Sequence, residues 1–204
     1  PQLNSDWLQN IHQKTLPEIA FDIAFTLLKD DISAADLKAI IDDAINFEAP
    51  LHPLTDDTFI LELFHGPSLA FKDFGGRFMS RIMAHFLDQE QKEIQILVAT
   101  SGDTGGAVAL GFLNVQLTTN GNNIEAIAID GTFDDCQALV KQAFHDTELN
   151  KKLNLTSANS INISRLIPQM FYYANTYARL KNDFDEIIFV TPSGNFGNIA
   201  AGMM

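Results

Sequence analysis

The sequence predicts an α/β fold built on a parallel sheet and preceded by a helical segment. Three observations carry this expectation. Runs of β-branched and aliphatic residues alternate with stretches whose apolar residues recur at helical spacing. Two glycine-rich turns, Thr100-Ser101-Gly102-Asp103-Thr104-Gly105-Gly106 and Pro192-Ser193-Gly194-Asn195-Phe196-Gly197-Asn198, each follow such a run and open a helical stretch. Capping boxes, in which side chains supply partners for the free backbone N–H groups of a first helical turn, mark helix starts before the first strand.

Thr15-Leu16-Pro17-Glu18 and Ser33-Ala34-Ala35-Asp36 are those boxes, so two helices are expected first. Pro50 and Pro53 then punctuate a short connection. Phe59-Ile60-Leu61-Glu62-Leu63-Phe64 reads as a strand buried on both faces, ended by the Gly66-Pro67 turn. A helix is expected over 74–89, a strand over 94–100, a helix over 105–113 and a strand over 124–130. Thr132-Phe133-Asp134-Asp135 is a further capping box, a long helix is expected over 164–181, and Ile187-Ile188-Phe189-Val190-Thr191 is the last expected strand. No internal repeat or low-complexity stretch appears.

With 204 residues, 46% of them hydrophobic, the chain is long enough to bury a sizeable core. Its net charge of -13 argues against nucleic acid or an anionic membrane as partner, because the long-range field repels phosphate polymers. An anionic small substrate then requires locally concentrated cations. The single cysteine, Cys136, rules out an intrachain disulfide and falls in an apolar helical stretch that predicts a packed thiol. The five histidines lack ligand spacing, so no metal site is expected. No apolar run is long enough to span a bilayer and the first residues do not read as a signal peptide, which makes a cytoplasmic location the expectation. The start without Met and the stop inside an apolar helical pattern predict a piece of a longer protein.

The chemistry concentrates in three segments. In Phe64-His65-Gly66-Pro67-Ser68-Leu69-Ala70-Phe71-Lys72-Asp73-Phe74-Gly75-Gly76-Arg77 a lone lysine sits among glycines and aromatics at a helix start. Partial desolvation and the positive helix terminus both lower the pKa of such an amine and suit it to form an imine with an aldehyde. The plain alternative is a surface lysine in a turn. In Ser193-Gly194-Asn195-Phe196-Gly197-Asn198 the glycines allow close backbone approach and the following helix aims N–H groups at an anion, so a phosphate fits there. The turn around Ser101, Asp103 and Thr104 adds hydroxyls and suits a carboxylate. Both turns also read as simple tight connections. Asn159-Ser160-Ile161-Asn162-Ile163-Ser164-Arg165 offers donors and an arginine able to make a bidentate phosphate contact, or is a capped helix start.

Together these segments resemble the threonine synthase family of pyridoxal-phosphate (PLP) enzymes with a tryptophan-synthase-β-like fold. The matching words are Glu62-Leu63-Phe64-His65-Gly66-Pro67, Leu69-Ala70-Phe71-Lys72-Asp73-Phe74, 100–105, Asn159-Ser160-Ile161-Asn162 and 192–197. The resemblance implies a fold type II PLP enzyme, two parallel-sheet domains with the cofactor in the cleft between them. It implies conversion of O-phospho-L-homoserine and water to L-threonine and phosphate, with Lys72 as Schiff-base residue and proton shuttle. By the same resemblance Gly194, Asn195, Phe196, Gly197 and Asn198 hold the cofactor phosphate and Asp103 lies by the cofactor. Ser101 and Thr104 face the substrate, and Asn159, Ser160 and Arg165 bind its phosphate. A helical segment over 1–55 and a partial PLP-binding core over 56–204, with about 90–165 as the smaller domain, follow as the expected organisation. Other readings are a related PLP lyase, such as a hydroxy-amino-acid dehydratase or a phospho-amino-acid lyase, and a noncatalytic phosphate-binding module.

The chain departs from the family pattern in three places. Between Leu113 and Ile124 it has only Asn114-Val115-Gln116-Leu117-Thr118-Thr119-Asn120-Gly121-Asn122-Asn123, where the family has an additional strand and helix, so a deletion or an omitted loop is expected there. The family's extreme N-terminus and its C-terminal portion, which includes the hydroxyl partner of the pyridine nitrogen, have no counterpart. Asp103 stands where the wider fold usually has Asn beside the cofactor's phenolic oxygen, which leaves open which group there carries the proton.

Overall fold

The computed structural model describes residues 3–90, 94–100, 103–113, 127–159, 162–192 and 196–204. Its first part is helical: α1 (Ser5–Asn10), a single 3-10 turn (Ile11–Gln13), α2 (Leu16–Leu28) and α3 (Ala34–Ala44). The expected cap at Thr15 forms in full, with the Thr15 side chain accepting from the third helical N–H and Glu18 reaching back to the Thr15 backbone. At α3 the Ser33 side chain accepts from Asp36 N at 3.1 Å and donates to the Asp36 carboxylate, but the return bond from the Ser33 backbone N–H, seen at Thr15, does not form, so only half of the box closes. Sequence reasoning missed α1, which begins at an Asn4 cap that accepts from Trp7 N.

These helices pack on α4 (Lys72–Glu90) and α8 (Ile163–Leu180), which correspond to the helices expected over 74–89 and 164–181. Ile11, Ile19, Leu37, Ile41, Phe74, Phe78 and Phe171 are fully buried between them. Each such side chain contributes about 1.5–3 kcal/mol relative to leaving it in water, so this helical layer is the main apolar core. Phe74 meets Phe47 and Tyr172 edge to face at 4.8 and 5.1 Å between ring centres, which pins the first turn of α4. Two buried arginines then tie α4 to helix ends. Arg77 donates to the carbonyls of Asp43 and Ala44 and to Asn46 Oδ1, taking up the free carbonyls at the end of α3. Arg81 pairs with Asp43 at 2.7 Å and donates to Gly111 O in α5 (Asp103–Leu113). Helices α4 and α5 cross where Gly76 faces Ala107 O and Gly111 faces Gly76 O, and a Cβ at either glycine would lie 2.9 Å from backbone oxygen.

The strands differ from expectation. The run 59–64 forms only β2 (Phe59–Leu61), antiparallel to β1 (Leu51–Pro53), and it is not buried on both faces: Ile60 is 48% and Phe64 49% exposed. The proline-marked connection is itself β1, an edge strand, where a missing N–H costs least. The strand expected over 94–100 shortens to β3 (Gln95–Leu97), parallel to an unanticipated β4 (Leu155–Ser157) with Ile96 opposite Thr156. This is the parallel pairing that the strand–helix alternation foretold, formed by three residues on each side. No strand forms over Ile127–Ile129 or Ile187–Thr191, because neither stretch has a ladder partner among the described residues. The rest of the run 124–130, the polar connection 114–123 and the question of a deletion there lie outside the described residues.

The helix expected after Thr132 is α6 (Phe133–His145), with both bonds of its capping box present and Cys136 half-buried on it. One short helix was not anticipated, α7 (Thr147–Leu153), whereas the helical stretch expected after the 192–198 segment is α9 (Gly197–Met203). Among the described residues no helix is long and apolar enough to cross a membrane.

Candidate functional site

The first turn of α4, the starts of α5 and α8, and the start of α9 surround a cleft of about 1170 Å³. Lys72, Thr104, Asn159, Arg165, Gly197 and Asn198 all line it, so residues 126 positions apart in sequence, from Lys72 to Asn198, share one space. Lys72 is half-buried, with Nζ 4.2 Å from the centre of the Phe71 ring, a cation–π contact that lays the amine along an apolar wall.

Arg165 sits in the first turn of α8 and is 2% exposed. Asn162 caps that helix, accepting from Ser164 N at 3.1 Å and donating to Ser157 O at 2.9 Å, which joins the helix start to the end of β4. The segment around Asn162 is a capped helix start, and Arg165 in its first turn lines the cleft. Arg165 Nη1 donates to Ala158 O, while Nε has no hydrogen-bond partner among the described residues. Burial pulls its pKa down to about 10, so the guanidinium is still charged throughout the neutral range. Arg165 thus places a buried positive charge on the wall of the cleft in a chain of net charge -13.

Asn159 is committed to structure. It accepts from Ala99 N and donates to Ala99 O, both at 3.2 Å, and so bridges the segments that leave β3 and β4. Asn198 is also held: it donates to Tyr172 O–H and accepts from Tyr173 O–H, and Tyr173 is in addition 3.1 Å from Thr191 Oγ1. Burial pushes the Tyr172 phenol well above its ordinary value, so it stays protonated. Phe196 is 73% exposed just before α9. Thr100 accepts from Gly105 N at 2.9 Å and fixes the start of α5 beside Thr104. Ser101, Ser160, Gly194 and Asn195 lie outside the described residues, as does the side chain of Asp103.

Sequence reasoning missed three participants in this arrangement. The tyrosine pair that holds Asn198 was legible only as part of a long helix. Asp73, fully buried beside Lys72, was visible as an acid in a first helical turn but drew no role.

No protein-family model matches the chain. The threonine synthase of Haemophilus influenzae is 43% identical over 225 residues, a match covering 100% of this chain and 52% of that protein. Among solved structures, the crystal structure of threonine synthase from Escherichia coli has a TM-score of 0.91 at 41% identity, covering 100% of this chain and 52% of that one. The PLP-bound threonine synthase from Brucella melitensis has a TM-score of 0.85 at 34% identity, covering 100% of this chain and 49% of that one. The chain spans about half the length of the curated relatives it matches. Over its whole length the chain is similar in sequence and in fold to these threonine synthases.

Proposed function

We propose that this chain carries the lysine-bearing half of a PLP-dependent threonine synthase that converts O-phospho-L-homoserine and water to L-threonine and phosphate. The single observation that carries the reading is the convergence of Lys72, Thr104, Arg165 and Asn198 on one cleft. The residues present fit the cofactor and a phosphate ester: a half-buried primary amine suits an aldehyde, and a buried guanidinium with an unpartnered Nε suits an anion. When bound, PLP supplies an electron sink for the negative charge left on carbon after proton loss.

The chain's own residues then have separable tasks. Lys72 Nζ holds the cofactor and afterwards takes and returns protons at the substrate's carbon atoms, a task for an amine placed against an apolar wall. Arg165 binds the substrate phosphate and so orients the carbon chain toward Lys72, helped by the Asn159–Ser160 segment. Thr104, with Ser101, takes the substrate carboxylate. Gly194, Asn195, Phe196, Gly197 and Asn198 form the cradle for the cofactor phosphate, with Tyr172 and Tyr173 fixing Asn198 at its edge, and Asp103 faces the cofactor ring. Residues of about 90–165 form the smaller domain on this reading. A second apolar cluster, Met79, Val108 and Ala158 with Ile96 and Val98 against it, packs that part onto α4. The substrate is a small molecule, and a cytoplasmic location fits a biosynthetic enzyme of this kind.

The test is product analysis of the full-length protein with PLP and O-phosphohomoserine. Threonine and phosphate in equal amounts are expected. Phosphate release without threonine would assign the protein to a lyase that stops after elimination, and no turnover with no bound PLP would favour a noncatalytic phosphate-binding module.

A further inference from the structure

Three fully buried side-chain polar atoms among the described residues have no hydrogen-bond partner: Arg165 Nε, Ser68 Oγ and Asp73 Oδ1. Two of them belong to the turn that leads into Lys72. Asp73 is 0% exposed, and its other oxygen, Oδ2, accepts from Ser68 N at 2.8 Å. Its backbone N–H donates to Ala70 O at 3.0 Å, so one residue grips the turn at two points. Gly66 faces the carboxylate so closely that a Cβ there would lie 2.4 Å from Asp73 Oδ2.

The residue between those grips is unusual. Leu69 has φ 56, in the left-handed region that a leucine avoids, and its side chain is 74% exposed on the cleft wall. Apolar burial therefore does not hold Leu69 in this conformation. Its N–H donates to Gly66 O at 3.0 Å, and the residue just before it is the one bonded to Asp73. A left-handed non-glycine residue persists only when its surroundings over-determine it, and here the buried carboxylate does so. A carboxylate with one oxygen unsatisfied is a poor stabilising device, which directs attention to what the turn presents: Leu69, Ala70, Phe71 and Lys72 all line the cleft.

We propose that Asp73 is a positioning residue: by bonding Ser68 N it locks the 66–71 turn in its left-handed form and thereby sets how Lys72 enters the cleft. The inference rests on the reading of Lys72 as the cofactor-bearing amine. Asp73 acts through the turn and touches neither cofactor nor substrate on this account.

The experiment follows Lys72 directly. Full-length protein freed of cofactor is incubated with PLP, reduced with borohydride at timed intervals and digested, and the pyridoxyl mass increment is quantified on each lysine peptide. Thermal unfolding is recorded in parallel. Asp73→Ala should slow labelling of Lys72 on the order of tenfold to a hundredfold, the range set by small misplacements of a reacting group. Asp73→Asn keeps an oxygen for Ser68 N and should label close to the wild-type rate. Gly66→Ala displaces the carboxylate without removing it and should behave like Asp73→Ala. If Asp73→Ala does not fold, the contrast between Gly66→Ala and Asp73→Asn decides the matter in the same way. Wild-type labelling rates in both Asp73→Ala and Gly66→Ala would overturn the inference while leaving the Lys72 reading intact. Equal slowing in Asp73→Asn and Asp73→Ala would also overturn it, since charge and not turn geometry would then matter. Absence of label on Lys72 in the wild-type protein would overturn the Lys72 reading itself.

Discussion

The helical layer around Phe78 and the stretch Ile187–Thr191 are both rich in large apolar residues, yet they end in opposite states. Phe78, Phe171, Ile19 and Ile41 are fully buried. Ile188 is 77% and Val190 89% exposed, and the backbone there is neither helix nor strand. The difference lies in where the backbone finds its partners. A helix bonds to itself, so an amphipathic pattern with a cap determines both the element and the face it buries. A strand has to borrow every bond from a neighbour, and among the described residues Ile187–Thr191 pairs in neither sheet. The candidate site lies on the seam between these two regimes: Lys72 and Arg165 stand on well-packed helices, whereas Asn198 comes shortly after the exposed run.

Substitutions should expose this contrast in graded fashion. Phe78→Ala empties a site that is 0% exposed and in edge contact with Phe171. It should cost about 3–5 kcal/mol, visible as a large fall in thermal midpoint. Arg165→Ala removes a charged hydrogen-bond partner of the proposed phosphate, worth about 1.5–3 kcal/mol, so the substrate KM should rise roughly one to two orders of magnitude. Cofactor attachment at Lys72 should survive that change, and Arg165→Lys should not rescue it, because an ammonium cannot make a two-pronged contact. Retained KM would remove Arg165 from the site.

A smaller effect should appear with pH. Backbone and side-chain hydrogen bonds from Thr15 hold the Glu18 carboxyl below its ordinary value of 4.5. A depressed native pKa means that the stabilisation is complete above the ordinary value and disappears as pH falls through the lowered one. Wild type should therefore melt above Glu18→Gln at about neutral pH, and the gap should close in acid. A gap that widened on acidification would break the account of this cap. Smallest of all should be Ile188→Ala, expected to lie within about 0.5 kcal/mol of wild type, since the side chain is largely in water. A loss comparable to that of Phe78→Ala would show that the exposed run is buried in the working protein and would erase the contrast.

The legibility of the chain followed the same division. Thr15, Ser33 and Thr132 announced α2, α3 and α6 because capping is local chemistry between residues three apart. The start of α4 at Lys72 was misplaced by only two residues, because Asp73 and Phe74 belong to a single buried turn. The strands were harder. Nothing local in Leu155-Thr156-Ser157 distinguishes it from a loop, and it becomes β4 only by pairing with Gln95-Ile96-Leu97, 60 positions away in register. The site showed a similar split. Lys72 and Arg165 could be chosen from motif context and charge, and both line the cleft. The structural commitments of Asn159 to Ala99 and of Asn198 to two tyrosines depend on contacts that no local pattern encodes. Asp73 stood in plain view beside the lysine, but only its burial and its hold on Ser68 give it a task.

On the proposed function, the half-buried amine of Lys72 holds the cofactor. Borohydride reduction of the full-length, PLP-loaded protein followed by peptide mass mapping tests it most directly. One pyridoxyl increment is expected, on the peptide containing Lys72, with its loss together with turnover in Lys72→Ala. An increment on another lysine, or a Lys72→Ala protein that still binds PLP covalently and makes threonine, would contradict it.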